Sequence, residues 1–129
     1  MSIPLWCLLV VALLPYPLAF LGGYCRRRQL GRFDNHHPRA QYAEMTGLGA
    51  RVWAAQQNAW EALIFFTAAV VAAEIAGVQG SMAAVAAVVF VIARVLHALC
   101  YIADWATPRS LIFVMGFVAG LTLFGLAAL

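Results

Sequence analysis

Residues 111–129, LIFVMGFVAGLTLFGLAAL, contain no charged side chain, and a helix that crosses the hydrocarbon core of a bilayer needs about 20 residues of this kind. Such a run constrains a chain more than any motif does, because lipid leaves only helices and closed barrels able to satisfy their own backbone. The chain has four of them. Residues 3–24 form the first and 60–73 the apolar heart of the second. Residues 81–93 with 95–101 make the third, and 111–129 the fourth. With 65% hydrophobic and 10% charged residues and a mean hydropathy of +0.89, there is more apolar surface than a soluble domain of this size can hide. The expected fold is an all-α integral membrane protein, a single domain of four transmembrane helices at about 3–24, 46–76, 81–104 and 108–129, with one polar loop at 25–45.

Basic residues orient the bundle. All of them are arginine: Arg26, Arg27, Arg28, Arg32, Arg39, Arg51, Arg94 and Arg109. Four antiparallel spans bring them near the same membrane face, which the positive-inside rule makes cytoplasmic. The link at 77–80 carries no Arg or Lys and both termini fall on its side, so the expectation is a multi-pass protein of the cell inner membrane with non-cytoplasmic termini. The net charge of +3 reflects this asymmetry and gives no reason to expect nucleic acid as a partner. The first run lacks a basic leader and is followed at once by Arg26-Arg27-Arg28, so it reads as a retained span rather than a cleaved signal. Pro15 and Pro17 should kink it, because each removes a backbone donor. Thr46 is a plausible N-cap for the second helix.

Polar residues inside the spans are the functional signal. At about 100° per residue, Arg51, Asn58 and Glu61 share one stripe of the second helix, and Arg94, His97, Tyr101 and Asp104 share a stripe of the third. Both stripes lie at the cytoplasmic ends, where Arg109 and Ser110 open the fourth helix. Ionisable groups in hydrocarbon are costly and find partners or line a wet cavity. The stripes therefore predict a cytoplasm-facing polar pocket between helices, the competing reading being that Glu61 only neutralises Arg51 or Arg94 and holds helices together. His36-His37 lacks a spaced third ligand, so no metal site is expected. Gly47-Leu48-Gly49 follows no strand and is no dinucleotide motif. Cys7 and Cys25 lie roughly 27 Å apart along one helix at 1.5 Å per residue and cannot pair, and with Cys100 they read as free thiols.

The order Arg51-x6-Asn58-x2-Glu61, then His97-x3-Tyr101 and Pro108-Arg109-Ser110, resembles the MAPEG family of membrane-associated proteins in eicosanoid and glutathione metabolism. Asn35-x2-Pro38-Arg39 resembles its bacterial members. The resemblance implies a homotrimer with glutathione as cofactor, held between neighbouring subunits near the cytoplasmic surface. Arg51, Asn58, Glu61, His97, Tyr101 and Arg109 are its implied binding residues, Glu61 being suited to the γ-glutamyl amino group. Arg109 and Ser110 are the implied catalytic pair at the thiol. Two departures stand out: Ala54 or Gln57 occupies the place of an additional second-helix arginine, and Phe113 a place that is often tyrosine. The implied activity is glutathione transfer or peroxidase chemistry on a small lipophilic electrophile that arrives from the membrane lipids. The alternative is a non-catalytic member of the fold that binds a lipid or other anionic ligand.

Overall fold

The computed structural model describes residues 1–129, and every regular element in it is a helix. These are α1 (Ile3–Leu13), α2 (Pro15–Leu30), α3 (Pro38–Glu44), α4 (Gly47–Ile75), α5 (Ser81–Ala103) and α6 (Ala106–Ala127). The pair α1–α2 acts as one long span, and with α4, α5 and α6 it makes four helices long and apolar enough to cross a membrane. The chain is a multi-pass membrane protein, and Phe20, Ile64, Ile75 and Leu111 are exposed on its outer surface.

The break between α1 and α2 has a backbone cause. Pro15 and Pro17 carry no N–H, so the carbonyls of Val11 and Leu13 lose their i+4 donors. The Leu14 N–H turns back to Val11 O at 3.3 Å instead. Beyond the kink the helix does not stop at Tyr24. It runs through Arg26-Arg27-Arg28 to Leu30 and ends at Gly31, whose φ of 65° is the left-handed cap that glycine reaches without a Cβ penalty. Arginines are good helix formers and, in the last turn, complement the helix dipole. The polar loop expected at 25–45 is thus partly helical at its start and again at α3. Thr46 occupies the N-cap position of α4, but its side chain makes no capping bond.

Helix α4 is central and packs against α1, α2, α3, α5 and α6. Toward the end that carries both termini, one continuous core joins Phe66, Ala69, Val70 and Ala73 of α4 to Ala83, Ala86, Ala87 and Phe90 of α5 and to Leu123 of α6. The alanines recur three or four residues apart and so line single helix faces. Their small side chains let the backbones approach closely, which is how helices associate in lipid. Phe66 and Phe90 stack with centroids 4.0 Å apart. Toward the loop end the apolar core divides into smaller groups, Leu18, Ala55, Ala59 and Ala98 in one and Cys25, Met45 and Val52 in another.

Segment 31–46 is pinned by polar side chains. Gln41 is 2% exposed; its Oε1 accepts the Asp34 N–H at 2.9 Å and its Nε2 donates to Arg32 O at 3.3 Å. Buried Arg26 lies over the rings of Phe33 and Tyr42, at 4.4 and 4.5 Å from their centroids, and donates to Pro38 O at 3.3 Å. Asp34 Oδ1 accepts the backbone N–H of His36 and of His37, forming an Asx turn that leads into α3. Those two bonds, His36 first, hold the Asp34 carboxyl below its ordinary value because they favour the anion. The adjacent histidines are thereby explained as turn residues.

Candidate functional site: an arginine-centred cavity

Following α4 and α5 from the apolar core toward the loop end, the first polar side chains are Glu61, Asn58 and Arg94. They line one cavity of about 160 Å³ together with Ala62, Phe65, Phe90, Phe113 and Phe117. The spacing explains the meeting. Asn58, Glu61, Ala62 and Phe65 are three or four residues apart on α4, as are Phe90 with Arg94 on α5 and Phe113 with Phe117 on α6. Arg94 is only 4% exposed. Its Nη1 donates to Asn58 Oδ1 at 3.3 Å, while Nε and Nη2, equally buried, have no hydrogen-bond partner. Two rings flank the guanidinium loosely, Phe90 at 5.6 Å and Phe113 at 5.4 Å. Glu61 is exposed at the cavity mouth and forms no ion pair, the chain's three salt bridges being Arg32–Glu44, His37–Asp34 and Arg51–Asp104.

The other residues singled out by sequence divide into two groups. Arg51 sits at the loop end, where Nε reaches Ile102 O at 3.4 Å and Nη1 lies 3.7 Å from Asp104 Oδ2. Asp104 is the residue that closes α5, with a φ of 62° that aspartate tolerates better than most side chains. Arg51 and Asp104 thus tie α4 to the end of α5 and stand apart from the cavity. His97 and Tyr101 form a second cluster one and two turns below Arg94. Their rings meet edge to face at 5.2 Å, and His97 also approaches Phe113 at 6.0 Å. The short turn into α6 brings Arg109 back over the Tyr101 ring, 4.3 Å from its centroid. Ser110 donates to Ala106 O at 3.2 Å, the ordinary i−4 bond of a helical serine, and is exposed. The structure brings Asn58 and Glu61 together, and Tyr101 with Arg109, but neither Arg109 nor Ser110 lines the cavity.

What sequence reasoning missed is the rank of Arg94. It was visible on the His97 stripe, one turn nearer the apolar core, yet only the fold shows that it is the one buried cation in the cavity. Glu61, which the competing reading paired with Arg51 or Arg94, makes an ion pair with neither. The phenylalanines of the wall gave no separate signal, because aromatics at helical spacing look the same in any core.

A multi-pass helical membrane protein with a cavity near the mid-length of α4, α5 and α6, walled by phenylalanines and lined by Asn58, Glu61 and Arg94, is the class that fold and site define. The chain belongs to the MAPEG family, whose model matches residues 3–129; this is a membrane-protein family of eicosanoid and glutathione metabolism. No curated protein and no solved structure matches the chain.

Proposed function

We propose that this protein binds glutathione at the cavity between α4, α5 and α6 and either adds its thiol sulfur to a lipophilic electrophile or, as a peroxidase, uses two thiols to reduce a lipophilic hydroperoxide to alcohol and water, leaving the disulfide. The observation that carries the reading is the cavity in which Asn58 and Glu61 share walls with Phe65, Phe90, Phe113 and Phe117. A carboxylate and an amide suit the ammonium and peptide groups of a hydrophilic thiol, and the adjoining phenylalanines suit an apolar acceptor entering from the bilayer. Family membership supports the same chemistry. Arg109 and Ser110 are the proposed thiol-activating pair: a guanidinium favours the thiolate by direct Coulomb attraction, the N-terminus of α6 adds potential of the same sign, and a hydroxyl donates to sulfur.

A homotrimer belongs to this reading. Gln57 and Glu61 are exposed on a spanning helix, and polar groups facing lipid are costly, so a neighbouring subunit is the natural cover. The proposed orientation places the 31–46 segment in the cytoplasm of a cell whose inner membrane holds the protein, by the arginine asymmetry. One observation favours the non-catalytic alternative. Arg109 is engaged by the Tyr101 ring and Ser110 by Ala106 O, so neither is poised over the cavity.

Titration of the detergent-solubilised protein with glutathione, followed by absorbance of the bound thiolate at neutral pH, separates the two. The enzyme reading expects millimolar or tighter binding, a raised thiolate signal and its loss in Arg109→Leu with assembly unchanged. Binding with no thiolate signal favours the non-catalytic alternative, and no binding at all removes glutathione from the proposal.

A further inference from the structure

A second recess, of about 640 Å³, lies between α3 and α4 and is walled by Arg39, Tyr42, Trp53, Gln56, Gln57 and Trp60. Its size falls within the roughly 300–1,000 Å³ of ligand pockets. Positions 53, 56, 57 and 60 share one face of α4, and at about 100° per residue that face is turned well away from the one carrying Asn58, Glu61 and Phe65. Gln57 lies between the two. The walls of the recess are fixed by their own packing. Tyr42 stacks on Trp53 with centroids 5.2 Å apart and lies under the Arg26 guanidinium at 4.5 Å. Trp60 meets Tyr16 edge to face at 5.8 Å.

The chemistry of the recess is graded along the helix. Arg39 comes from the loop segment, where the neighbouring Pro38 carbonyl is tied to Arg26 near the end of α2. It is exposed and takes part in none of the chain's ion pairs. No acidic side chain lines the recess, so its charge is complementary to an anion from outside. The amides of Gln56 and Gln57 come next along α4, then Trp60, and one turn beyond it Ile64, exposed and apolar. Trp53 and Trp60 are about 10 Å apart along the axis at 1.5 Å per residue, enough to cross a headgroup layer of about 5–8 Å on each side of the hydrocarbon. Tryptophan and tyrosine concentrate in that layer. A cation, then amides, then aromatic and aliphatic surface match the phosphate, ester oxygens and acyl chains of a lipid. A soluble anion would use only the first of these.

We propose that this recess binds an anionic phospholipid of the loop-end leaflet, with Arg39 on its phosphate, Gln57 on its ester oxygens and its acyl chains along Trp60 and Ile64. The site is separate from the glutathione cavity and stands or falls independently of it. An anionic head group fits better than a zwitterionic one, because the recess offers no carboxylate to a choline or ethanolamine cation.

Native mass spectrometry of the detergent-solubilised protein tests the assignment, with dioleoylphosphatidylglycerol, dioleoylphosphatidylcholine and glycerol phosphate as probes. Phosphatidylglycerol should saturate at one adduct per chain, phosphatidylcholine should bind several-fold more weakly, and glycerol phosphate should not displace either. Arg39→Ala should weaken phosphatidylglycerol binding by about tenfold or more, as expected for loss of a charge-assisted hydrogen bond, and bring it to the level of phosphatidylcholine. Arg39 has no ion pair to lose, so this variant keeps the loop's own contacts. Arg28→Ala, exposed at the same end but outside the recess, should leave binding nearly unchanged. Equal losses in the two variants would make the attraction diffuse, and displacement by glycerol phosphate would make the ligand a soluble anion; either result overturns the assignment. So does equal binding of the two lipids by the wild type, or retention of no adduct. A change in the number of chains per assembly in Arg39→Ala would give the recess to a second copy and overturn it as well.

Discussion

The two ends of the bundle are held together by different physics. At the terminal end, alanine faces and the Phe66–Phe90 stack form one uninterrupted core, and the polar side-chain contact between helices there is Ser2 donating to Glu74 at the surface. At the loop end, Arg26, Gln41, Arg94 and His97 are all buried, and the apolar core breaks into small groups around them. Packing without polar atoms is insensitive to partners or pH and makes a rigid platform. A layer of buried polar groups is stable only as far as each is satisfied. Gln41 finds backbone partners at both ends of its amide, Arg26 finds a carbonyl and two rings but keeps an unpaired Nε, and Arg94 finds only Asn58 and keeps an unpaired Nε and Nη2. The lesson is that two arginines of nearly equal burial have different surroundings: Arg26 is enclosed by its own loop, and Arg94 lines a cavity.

The largest expected effect lies in the terminal half. Phe66 is 0% exposed, so Phe66→Ala should cost about 3–5 kcal/mol, the range for emptying an aromatic site in a packed core. Thermal unfolding in detergent should register it; a loss under 1 kcal/mol would mean that this half is not a rigid platform. Next comes the contrast between carboxylates. Glu61→Gln should weaken glutathione binding by about tenfold or more, corresponding to roughly 1.5–3 kcal/mol, while Glu74→Gln at the far end of α4 leaves it unchanged. Equal effects from the two would assign Glu61 a structural role.

A smaller and more local change is expected from Gln41→Ala. It removes the bonds to Asp34 and Arg32, at about 1 kcal/mol each, and should speed hydrogen exchange across 31–46 without shifting the unfolding of the spans. Exchange that accelerates equally in α5 would show that the loop and bundle are one cooperative unit. The smallest effect concerns acid. The folded Asp34 carboxyl is held below its ordinary value of 3.8, so its ordering of the loop is complete above about pH 4 and is lost as pH falls through the lowered value. Limited proteolysis of 31–46 should therefore rise only below pH 4, and Asp34→Asn should flatten that rise. An unchanged pH profile in the variant would move the sensitivity to another group.

Much of this architecture could be read without coordinates, since apolar length, arginine asymmetry and helical periodicity are local properties. Pro15 and Pro17 announced the kink, because a missing N–H has the same consequence in any helix. The stripe of Asn58 and Glu61 announced a shared wall for the same reason: residues three apart on a helix face one way. The end of the first helix was less visible. Arg26-Arg27-Arg28 read as the start of a loop because charge leaves the hydrocarbon, yet a helix continues into water at little cost and stops only where Gly31 turns it.

By itself, then, the sequence determined what each helix needs: an apolar length matched to a bilayer, a face of small residues for its neighbours, and a polar stripe that must not face lipid. Only the tertiary structure decided which partner each polar group receives. Arg51 went to Asp104, Asn58 to Arg94, Arg109 to the ring of Tyr101, and Glu61 to none. The reason is geometric: periodicity places a side chain on a face, but pairing depends on the rotation and height of one helix against another. Packing sets those, down to the turn at Asp104 and the close approach of Gly116 to Arg94.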